Sequence, residues 1–204
     1  MKILLTAFDP FGGEPVNPAW EAVQRLREPA GAELRRLQVP TVFGESGDLV
    51  CAVMERERPD LVLCVGQAAG RPAITPERVA INLMDASIPD NVGAQPAEQA
   101  VIPGGPAAYF SSLPVKALAE AIRGAGVPAA VSNSAGTFVC NQLLYRVLDA
   151  IEHRYPGMRG GFVHVPCLPE QALRLGKEKT IPSLELEEIV KGLEAALVFL
   201  TKQA

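Results

Sequence analysis

The residue with the clearest chemical potential in this sequence is Cys140, which lies in the stretch SNSAGTFVCNQLLY between a strand-like and a helix-like segment. In the first turn of a helix, free backbone N–H groups and the helix dipole favour a thiolate over a thiol. The same N–H groups can bind an oxyanion that develops during acyl transfer. The position therefore indicates a nucleophile, with a cysteine that only packs at the start of a helix as the alternative.

A thiol nucleophile needs a base, and the chain contains only two histidines. His153 is close to the end of a predicted helix, where the dipole favours a solvated cation. His164 lies in GGFVHVP, near the carboxyl end of a predicted buried strand. An imidazole in that position must find a hydrogen-bonding partner. We therefore favour His164 as the base, and a core histidine with a purely structural partner is the alternative.

The carboxylate that could orient the imidazole is Glu77, in the stretch ITPERVAIN. In a strand, the two-residue period would place Glu77 on the same face as Val79 and Ile81. A carboxylate on an apolar face requires a cationic or hydrogen-bonding partner. An exposed acid at the first residue of a strand fits the same pattern, and Asp85 and Asp90 in the following segment compete for the role.

The composition limits the classes of function. The chain has 204 residues, 48% hydrophobic and 21% charged, as expected for one compact domain over residues 1–204. The net charge of -4 argues against a nucleic-acid partner, because phosphate backbones select basic surfaces. No apolar run approaches the roughly 20 residues that span a bilayer, and the N-terminus does not resemble a signal peptide. We therefore expect a cytoplasmic protein without a membrane or nucleic-acid partner.

The cysteines give no sign of a metal site. Cys51, Cys64 and Cys167 form no C-x-x-C pair with one another or with Cys140, so zinc is not expected. In a reducing cytosol all four are expected to be free thiols. Cys51 and Cys64 are predicted to face the core.

Strand-like and helix-like segments alternate along the chain. Apolar runs predict strands over 2–8, 33–40, 60–66, 77–82, 128–133 and 160–166. Helical spacing predicts helices over 18–28, 46–59, 114–126, 141–155 and about 184–202, the last with Ser183 as its N-cap. A long irregular stretch covers about 84–113. The alternation predicts an α/β fold, a three-layer sandwich with a twisted, mostly parallel sheet flanked by helices and a site at the carboxyl ends of the strands.

Five stretches taken together resemble the motifs of one family. In chain order they are TAFDPFGGEPVNP, VGQAAGR, ITPERVAINLMDASIPDN, SNSAGTFVCNQLLY and GGFVHVPCLPEQ. They closely resemble pyroglutamyl peptidase type I (pyrrolidone-carboxylate peptidase), a family of cytosolic cysteine peptidases. The resemblance implies an omega-peptidase that removes an N-terminal pyroglutamyl residue from peptides through a thioester acyl-enzyme. It also implies a Cys–His–Glu triad at Cys140, His164 and Glu77.

The resemblance further implies a pocket for the lactam ring of pyroglutamate. Its aromatic walls are expected at Phe8, Phe11 and Phe138, and the further positions associated with the pocket are Asn17, Thr41, Gln67 and Ile88. A flat, uncharged ring suits an aromatic pocket with a few amide contacts. No metal or organic cofactor is implied, and the family commonly forms homo-oligomers, often tetramers.

Three positions depart from the family pattern. Ser87 stands where the family has an arginine close to the active site, Ala7 replaces a glycine, and Cys167 replaces a common aromatic residue. The change at Ser87 keeps open a thiol hydrolase that acts on another small acyl or cyclic amide. A non-catalytic module that binds a small molecule, in which Cys140 only packs, is the other alternative.

Overall fold

The computed structural model describes residues 1–176 and 180–203 of the chain. Its strands are β1 (Lys2–Phe8), β2 (Glu33–Val39), β3 (Leu61–Gln67), β4 (Thr75–Pro76), β5 (Val79–Ile81), β6 (Ala108–Phe110) and β7 (Arg159–Val165). Within these ranges, five strands form one sheet in the order β2-β1-β3-β7-β4, and β5 pairs with β6 in a separate sheet. Strands β1, β2, β3 and β7 are parallel, whereas β4 runs antiparallel to β7. The central sheet is therefore mostly parallel, as predicted.

Helices cover both faces of this sheet. They are α1 (Pro18–Arg25), α2 (Glu45–Glu57), α3 (Val115–Gly124), α4 (Val139–Arg154), α5 (Pro169–Leu175) and α6 (Leu186–Thr201). Helices α1, α3 and α6 cover the face that we call the support side, whose buried cluster includes Ala22, Leu118 and Leu193. Helices α2 and α4 cover the opposite face, the site side, whose cluster includes Met54 and Leu144. These layers confirm the predicted three-layer α/β fold. None of the helices in the described ranges is long and apolar enough to cross a bilayer.

The parallel strands are apolar along most of their length because both of their faces are buried. In β1, Ile3 belongs to the support-side cluster, whereas Leu4 and Phe8 belong to the site-side cluster. The alternation follows from the two-residue period of a strand. The same period places the His164 side chain of β7 on the site side, on the same face of the strand as the buried ring of Phe162.

The predicted strand over 77–82 is wrong in its extent and its sheet. The chain instead forms β4, which pairs with β7, and then β5, which pairs with β6. Glu77 lies between these two strands, and its N–H donates to the carbonyl of Phe162 at 2.9 Å. The main chain thus stays against β7 for one residue beyond β4 before it leaves the central sheet. This contact explains why Glu77 is buried although it is not in a strand.

The predicted strand over 128–133 is replaced by two isolated parallel bridges, from Ile74 to Ala129 and from Glu77 to Ser132. Pro76 stands between the two bridges. Because a proline has no N–H, the hydrogen bond that would join the bridges into one ladder cannot form.

Helix boundaries also differ from the prediction by a few residues. Helix α4 begins at Val139 rather than at residue 141, which makes Cys140 the second residue of the helix. Helix α1 ends at Arg25 rather than at residue 28. Helix α6 is capped by Glu185, whose partner in a capping box is Glu188, and not by Ser183. The short elements β6 and α5 carry no clear periodic signal, and the sequence does not predict them.

Candidate active site

A cavity of about 400 Å³ opens at the carboxyl ends of β1, β3 and β7. The ends of parallel strands meet at one edge of a sheet, which explains why distant parts of the chain converge there. The lining residues are Phe8, Phe11, Asn17, Thr41, Gln67, Ala68, Ala69, Arg71, Ser87, Ile88, Ala135, Gly136, Phe138, Cys140 and His164. They include Cys140, His164 and every pocket residue that the family resemblance implied. Glu77 is fully buried behind His164.

The position of Cys140 is determined by its neighbours in the chain and below it. The buried Asn141 side chain joins the first turn of α4 to β5, because its Oδ1 accepts from the N–H of Ile81 at 2.9 Å. Its Nδ2 donates to the carbonyls of Ile81 and Leu83 at 2.9 Å each. Beneath the thiol, a Cβ at Gly66 would lie 3.0 Å from Cys140 Sγ. Glycine in β3 therefore allows the strand to pass directly under Cys140.

His164 and Glu77 form a buried pair. The imidazole Nδ1 lies 2.7 Å from Glu77 Oε1, and the residues are 3% and 0% exposed. An ionised carboxylate can only accept hydrogen bonds, so Nδ1 carries the hydrogen and Nε2 is the basic nitrogen. The pair can therefore hold one tautomer of an imidazole that lines the cavity.

Arg71 is a third member of this cluster, and the sequence did not single it out. Its Nη1 donates to Glu77 Oε1 and to Thr75 Oγ1, each at 2.5 Å. Its Nη2 donates to the carbonyl of Ser134 at 3.0 Å. The signal in the sequence that points to such a residue is that a buried Glu77 requires a cation beside it. Arg71 and Arg78 flank Glu77 in the chain, and the sequence does not distinguish between them.

The surroundings shift the protonation of all three side chains. Burial raises the pKa of the Cys140 thiol to about 12, and the charge of Glu77 adds to this effect. Burial lowers the pKa of His164, although the hydrogen bond and charge of Glu77 oppose it. Burial acts to raise the pKa of Glu77, but the hydrogen bond from His164 and the charge of Arg71 outweigh it, so the carboxyl pKa is lowered. The resting arrangement is therefore a thiol, a neutral imidazole and a carboxylate.

Aromatic side chains form the apolar wall of the cavity. The ring centroid of Phe138 is 6.4 Å from that of Phe11 and 5.3 Å from that of Phe43, which meets it edge to face at 87°. Phe8 is buried at the end of β1, with its ring centroid 6.4 Å from that of Phe162. Phe43 and Phe162 thus brace the lining rings from behind.

Asp9, which directly follows β1, anchors two polar residues of the lining. Its carbonyl accepts from Asn17 Nδ2 at 3.0 Å, while Asn17 Oδ1 caps α1 by accepting from the N–H of Ala19. The carboxylate oxygen Oδ1 of Asp9 accepts from the N–H and the hydroxyl of Thr41, each at 2.7 Å. Asp9 therefore joins segments that are far apart in the chain, a role that the sequence alone did not indicate.

Gln67 at the end of β3 is oriented by a second glutamine. Its Nε2 donates to Oε1 of the fully buried Gln171 at 3.3 Å. This contact leaves Gln67 Oε1 as a hydrogen-bond acceptor for a ligand. Gln171 lies in α5, which the sequence does not predict, so this partner was also missed.

The competing candidates for the site have other positions. Asp90 accepts main-chain hydrogen bonds from Phe43, Val92 and Ala94 and so braces a turn. Asp85 is exposed. The His153 side chain is 58% exposed and contacts a neighbouring carboxylate on α4. The cysteines outside the cavity are buried at positions 51, 64 and 167. Within residues 1–176 and 180–203, no group of three or more His, Cys, Asp or Glu side chains could hold a metal ion.

Comparison with known proteins gives the family of this chain. Residues 1–203 match the family model of pyroglutamyl peptidases. The chain belongs to the pyroglutamyl peptidase family. It is therefore an enzyme of the cysteine-type hydrolase class, and the resemblance carried by its motifs is confirmed.

Relatives of this chain are similar to it over nearly their whole length. A pyrrolidone-carboxylate peptidase of Levilactobacillus brevis is 54% identical over 198 residues, which cover 97% of this chain and 96% of that protein. A pyrrolidone-carboxylate peptidase of Bacillus amyloliquefaciens is 53% identical over 199 residues, covering 97% and 91%. The crystal structure of pyroglutamyl peptidase I from Bacillus amyloliquefaciens, 51% identical, has a TM-score of 0.92 over 98% of this chain and 97% of that chain. A variant pyrrolidone carboxyl peptidase from Pyrococcus furiosus, 37% identical, has a TM-score of 0.93 with both chains fully covered.

Proposed function

We propose that this chain removes the N-terminal pyroglutamyl residue from peptides, with Cys140 as nucleophile, His164 as base and Glu77 as the group that orients the imidazole. The observation that carries the proposal is the 2.7 Å contact between His164 Nδ1 and Glu77 Oε1, beside a cavity that Cys140 and His164 both line. The names of the relatives support the choice of substrate.

In the first step, the neutral imidazole accepts the thiol proton at Nε2 as Cys140 Sγ attacks the pyroglutamyl carbonyl carbon. Cys140 and His164 face the same cavity without a direct hydrogen bond in the described part of the chain. We expect that contact to tighten when substrate binds, as it does in many hydrolases. Glu77 accepts from Nδ1–H throughout and stabilises the imidazolium that forms.

In the second step, the tetrahedral intermediate collapses. The carbon–nitrogen bond breaks, His164 donates the proton from Nε2 to the leaving amine, and a thioester joins the pyroglutamyl group to Cys140. Water, deprotonated by His164, then attacks the thioester and releases pyroglutamate and the thiol. Because Ser87 is short and exposed, the free N–H groups in the first turn of α4 are the donors that we assign to the oxyanion.

The lining of the cavity supports an uncharged, flat acyl group. Phe8, Phe11 and Phe138 offer apolar surface. Gln67 offers an acceptor that could receive the lactam N–H. A substrate with a free amino terminus would have to desolvate its ammonium group against this apolar surface, which is unfavourable.

The test is hydrolysis of a pyroglutamyl aminocoumarin amide by the purified chain. We expect turnover by the wild type and a loss of at least about 10⁴-fold in Cys140→Ala. Cys51→Ala removes another thiol on α2 and should keep activity within a few-fold. Full activity in Cys140→Ala would contradict the assignment of the nucleophile.

A panel of acetyl, prolyl and pyroglutamyl aminocoumarin amides tests the substrate. We expect pyroglutamyl to be preferred, because the prolyl amide carries a charged ring nitrogen and the acetyl amide fills less of the pocket. Preference for the acetyl amide would support a thiol hydrolase of different specificity.

The assembly, the location and the single domain over residues 1–204 stay predictions from the sequence and the family resemblance. A homo-tetramer would have about four times the 21.7 kDa mass of one chain in light scattering. One domain should unfold in a single cooperative transition.

A further inference from the structure

Arg71 is a cation beside the proposed triad to which no role has been assigned. It lines the cavity, and its side chain is 25% exposed. One guanidinium nitrogen, Nη1, reaches the carboxylate of Glu77, and the other, Nη2, reaches the carbonyl of Ser134. Among the lining residues that the structure describes, Arg71 is the only arginine or lysine. Its charge is thus a permanent positive charge in the wall of the cavity that holds the proposed chemistry.

The burial of Glu77 makes this cation necessary. A fully buried carboxylate is unfavourable unless it is paired with a cation and hydrogen-bonded. His164 is neutral at rest and cannot supply the charge, so within the described residues the ion pair of Glu77 depends on Arg71. Arg71 and His164 both donate to Oε1, whereas Oε2 has no hydrogen-bond partner in the described residues. Arg71 and His164 therefore hold the same carboxylate oxygen.

We propose that Arg71 is a positioning residue, which fixes the Glu77 carboxylate against His164 and balances its negative charge beside Cys140. The inference rests on the proposed function for its role in turnover, but its electrostatic part concerns the free enzyme. A purely structural ion pair would leave the pH dependence of the site unchanged when Arg71 is replaced. A positioning role predicts that this pH dependence changes.

The direction of that change follows from the charges around the pair of Cys140 and His164. The titratable or charged groups that act on the two side chains are Glu77, Arg71 and, for the thiol, Cys64 of β3. Without the charge of Arg71, the negative charge of Glu77 is uncompensated, and both the thiol and the imidazole hold their protons more tightly. In the active form, Cys140 and His164 together carry one proton, which lies either on the thiol or on Nε2 of the imidazole. Both limbs of the pH–rate profile therefore move to higher pH.

The first experiment compares pH profiles of kcat/KM for the pyroglutamyl aminocoumarin amide. In Arg71→Met we expect both limbs to rise by about one pH unit and kcat to fall about 10- to 100-fold. Arg71→Gln, which keeps an N–H donor but no charge, should show the same displacement. Arg71→Lys keeps the charge and should return the limbs close to their wild-type positions.

Arg78→Met is the matched control. Arg78 donates to Asn133 Oδ1 at 2.8 Å, in the same loop that Arg71 contacts, but it does not line the cavity. Its removal makes the same change in net charge and should leave both limbs in place. Wild-type limbs in Arg71→Met and Arg71→Gln, with lowered thermal stability alone, would overturn the inference in favour of a structural ion pair.

The second experiment does not depend on the substrate. The rate of Cys140 alkylation by iodoacetamide, followed by mass spectrometry of its peptide, tracks the thiolate and hence the thiol pKa. Below the thiol pKa, an upward displacement of this profile by about one pH unit appears as an alkylation rate about ten-fold lower at the same pH, and we expect this for Arg71→Met and Arg71→Gln. If wild type does not cleave the pyroglutamyl amide, the proposed function fails, but this profile still decides the role of Arg71. An unmoved alkylation profile in both neutral variants would overturn the inference even if the wild type is active.

Discussion

The two sides of the central sheet differ in what they bury. On the support side, α6 contributes Leu193 and Leu197, both fully buried in an apolar cluster. On the site side, buried polar groups lie among the apolar ones. Examples are Asn141, which bonds the main chain of β5, and His164, which is paired with Glu77.

The difference shows that one face of the sheet mainly contributes to stability, whereas the other holds the side chains of the proposed chemistry. Apolar packing is non-directional, so the support side tolerates small shifts of its side chains. Buried polar groups need partners at fixed distances, so the site side must be rigid where Cys140 and His164 lie. Substitutions on the two sides should therefore change different measurements.

Among the substitutions that compare the two sides, Glu77→Gln on the site side has the largest expected effect. The amide cannot stabilise the imidazolium that forms on His164, so kcat should fall about 10²- to 10⁴-fold. Steady-state hydrolysis of the pyroglutamyl amide measures this loss. Activity within a few-fold of wild type would remove Glu77 from the triad.

The next effect belongs to the support side. Leu193→Ala leaves a cavity in a fully buried position of α6 and should lower the free energy of unfolding by about 2–5 kcal/mol. The kcat of the folded fraction should stay within about two-fold of wild type, because Leu193 contacts the layer opposite the site. Urea unfolding and kinetics on the same sample measure both quantities. A large loss of kcat in the folded variant would mean that the two sides are coupled.

A pair of glycines in the sheet sharpens the comparison. In Gly66→Ala the new Cβ would lie 2.7 Å from the Phe162 ring and 3.0 Å from Cys140 Sγ. In Gly161→Ala it would lie 2.5 Å from a methyl group of Leu113. Overpacking should destabilise both variants by about 1–3 kcal/mol, measured by urea unfolding.

Only Gly66→Ala should also lower kcat, because only there does the thiol have to move. We expect a loss of about 10-fold or more, since small displacements of a reacting group are costly. Equal kcat values for the two variants would show that the position of Cys140 tolerates such a displacement.

The smallest expected effect is on the pH dependence of stability. The pKa of Glu77 is lowered in the folded state, so its contribution is present above the unfolded pKa and is lost as the pH falls. The pKa of His164 is lowered as well, so protonation below about pH 6.5 also favours unfolding. Between about pH 7 and about pH 4, both shifts should lower the free energy of unfolding of the wild type, together by about 1 kcal/mol or more. Urea unfolding over this range measures the loss, and a free energy of unfolding that stays constant would contradict it.

The fold was largely predictable because its signals are local. The run KILLTAF predicts β1 with the observed bounds, since a strand buried on both faces is continuously apolar. The strand predicted over 77–82 failed because pairing with β7 and then with β6 depends on segments far away in the chain. Pro76 marked the interruption but did not indicate which partner the chain would take next.

The sequence by itself determined which side chains were available for the chemistry and to which family the chain belongs. A cysteine near a helix start, a scarcity of histidines and the five motifs were sufficient to select Cys140 and His164 as candidates. These features depend on residue type and order, which the sequence states directly. Their roles follow from how the chain brings them together.

Only the tertiary structure decided how these groups meet. Glu77 lies between two strands and contacts His164. Arg71, and not Arg78, pairs with the carboxylate. Gly66 lies beneath Cys140. Each contact joins segments whose distance in space is determined by strand order and by a change of sheet. The physical reason is that hydrogen bonds and close approaches depend on positions within a few tenths of an ångström, which local sequence preferences do not specify.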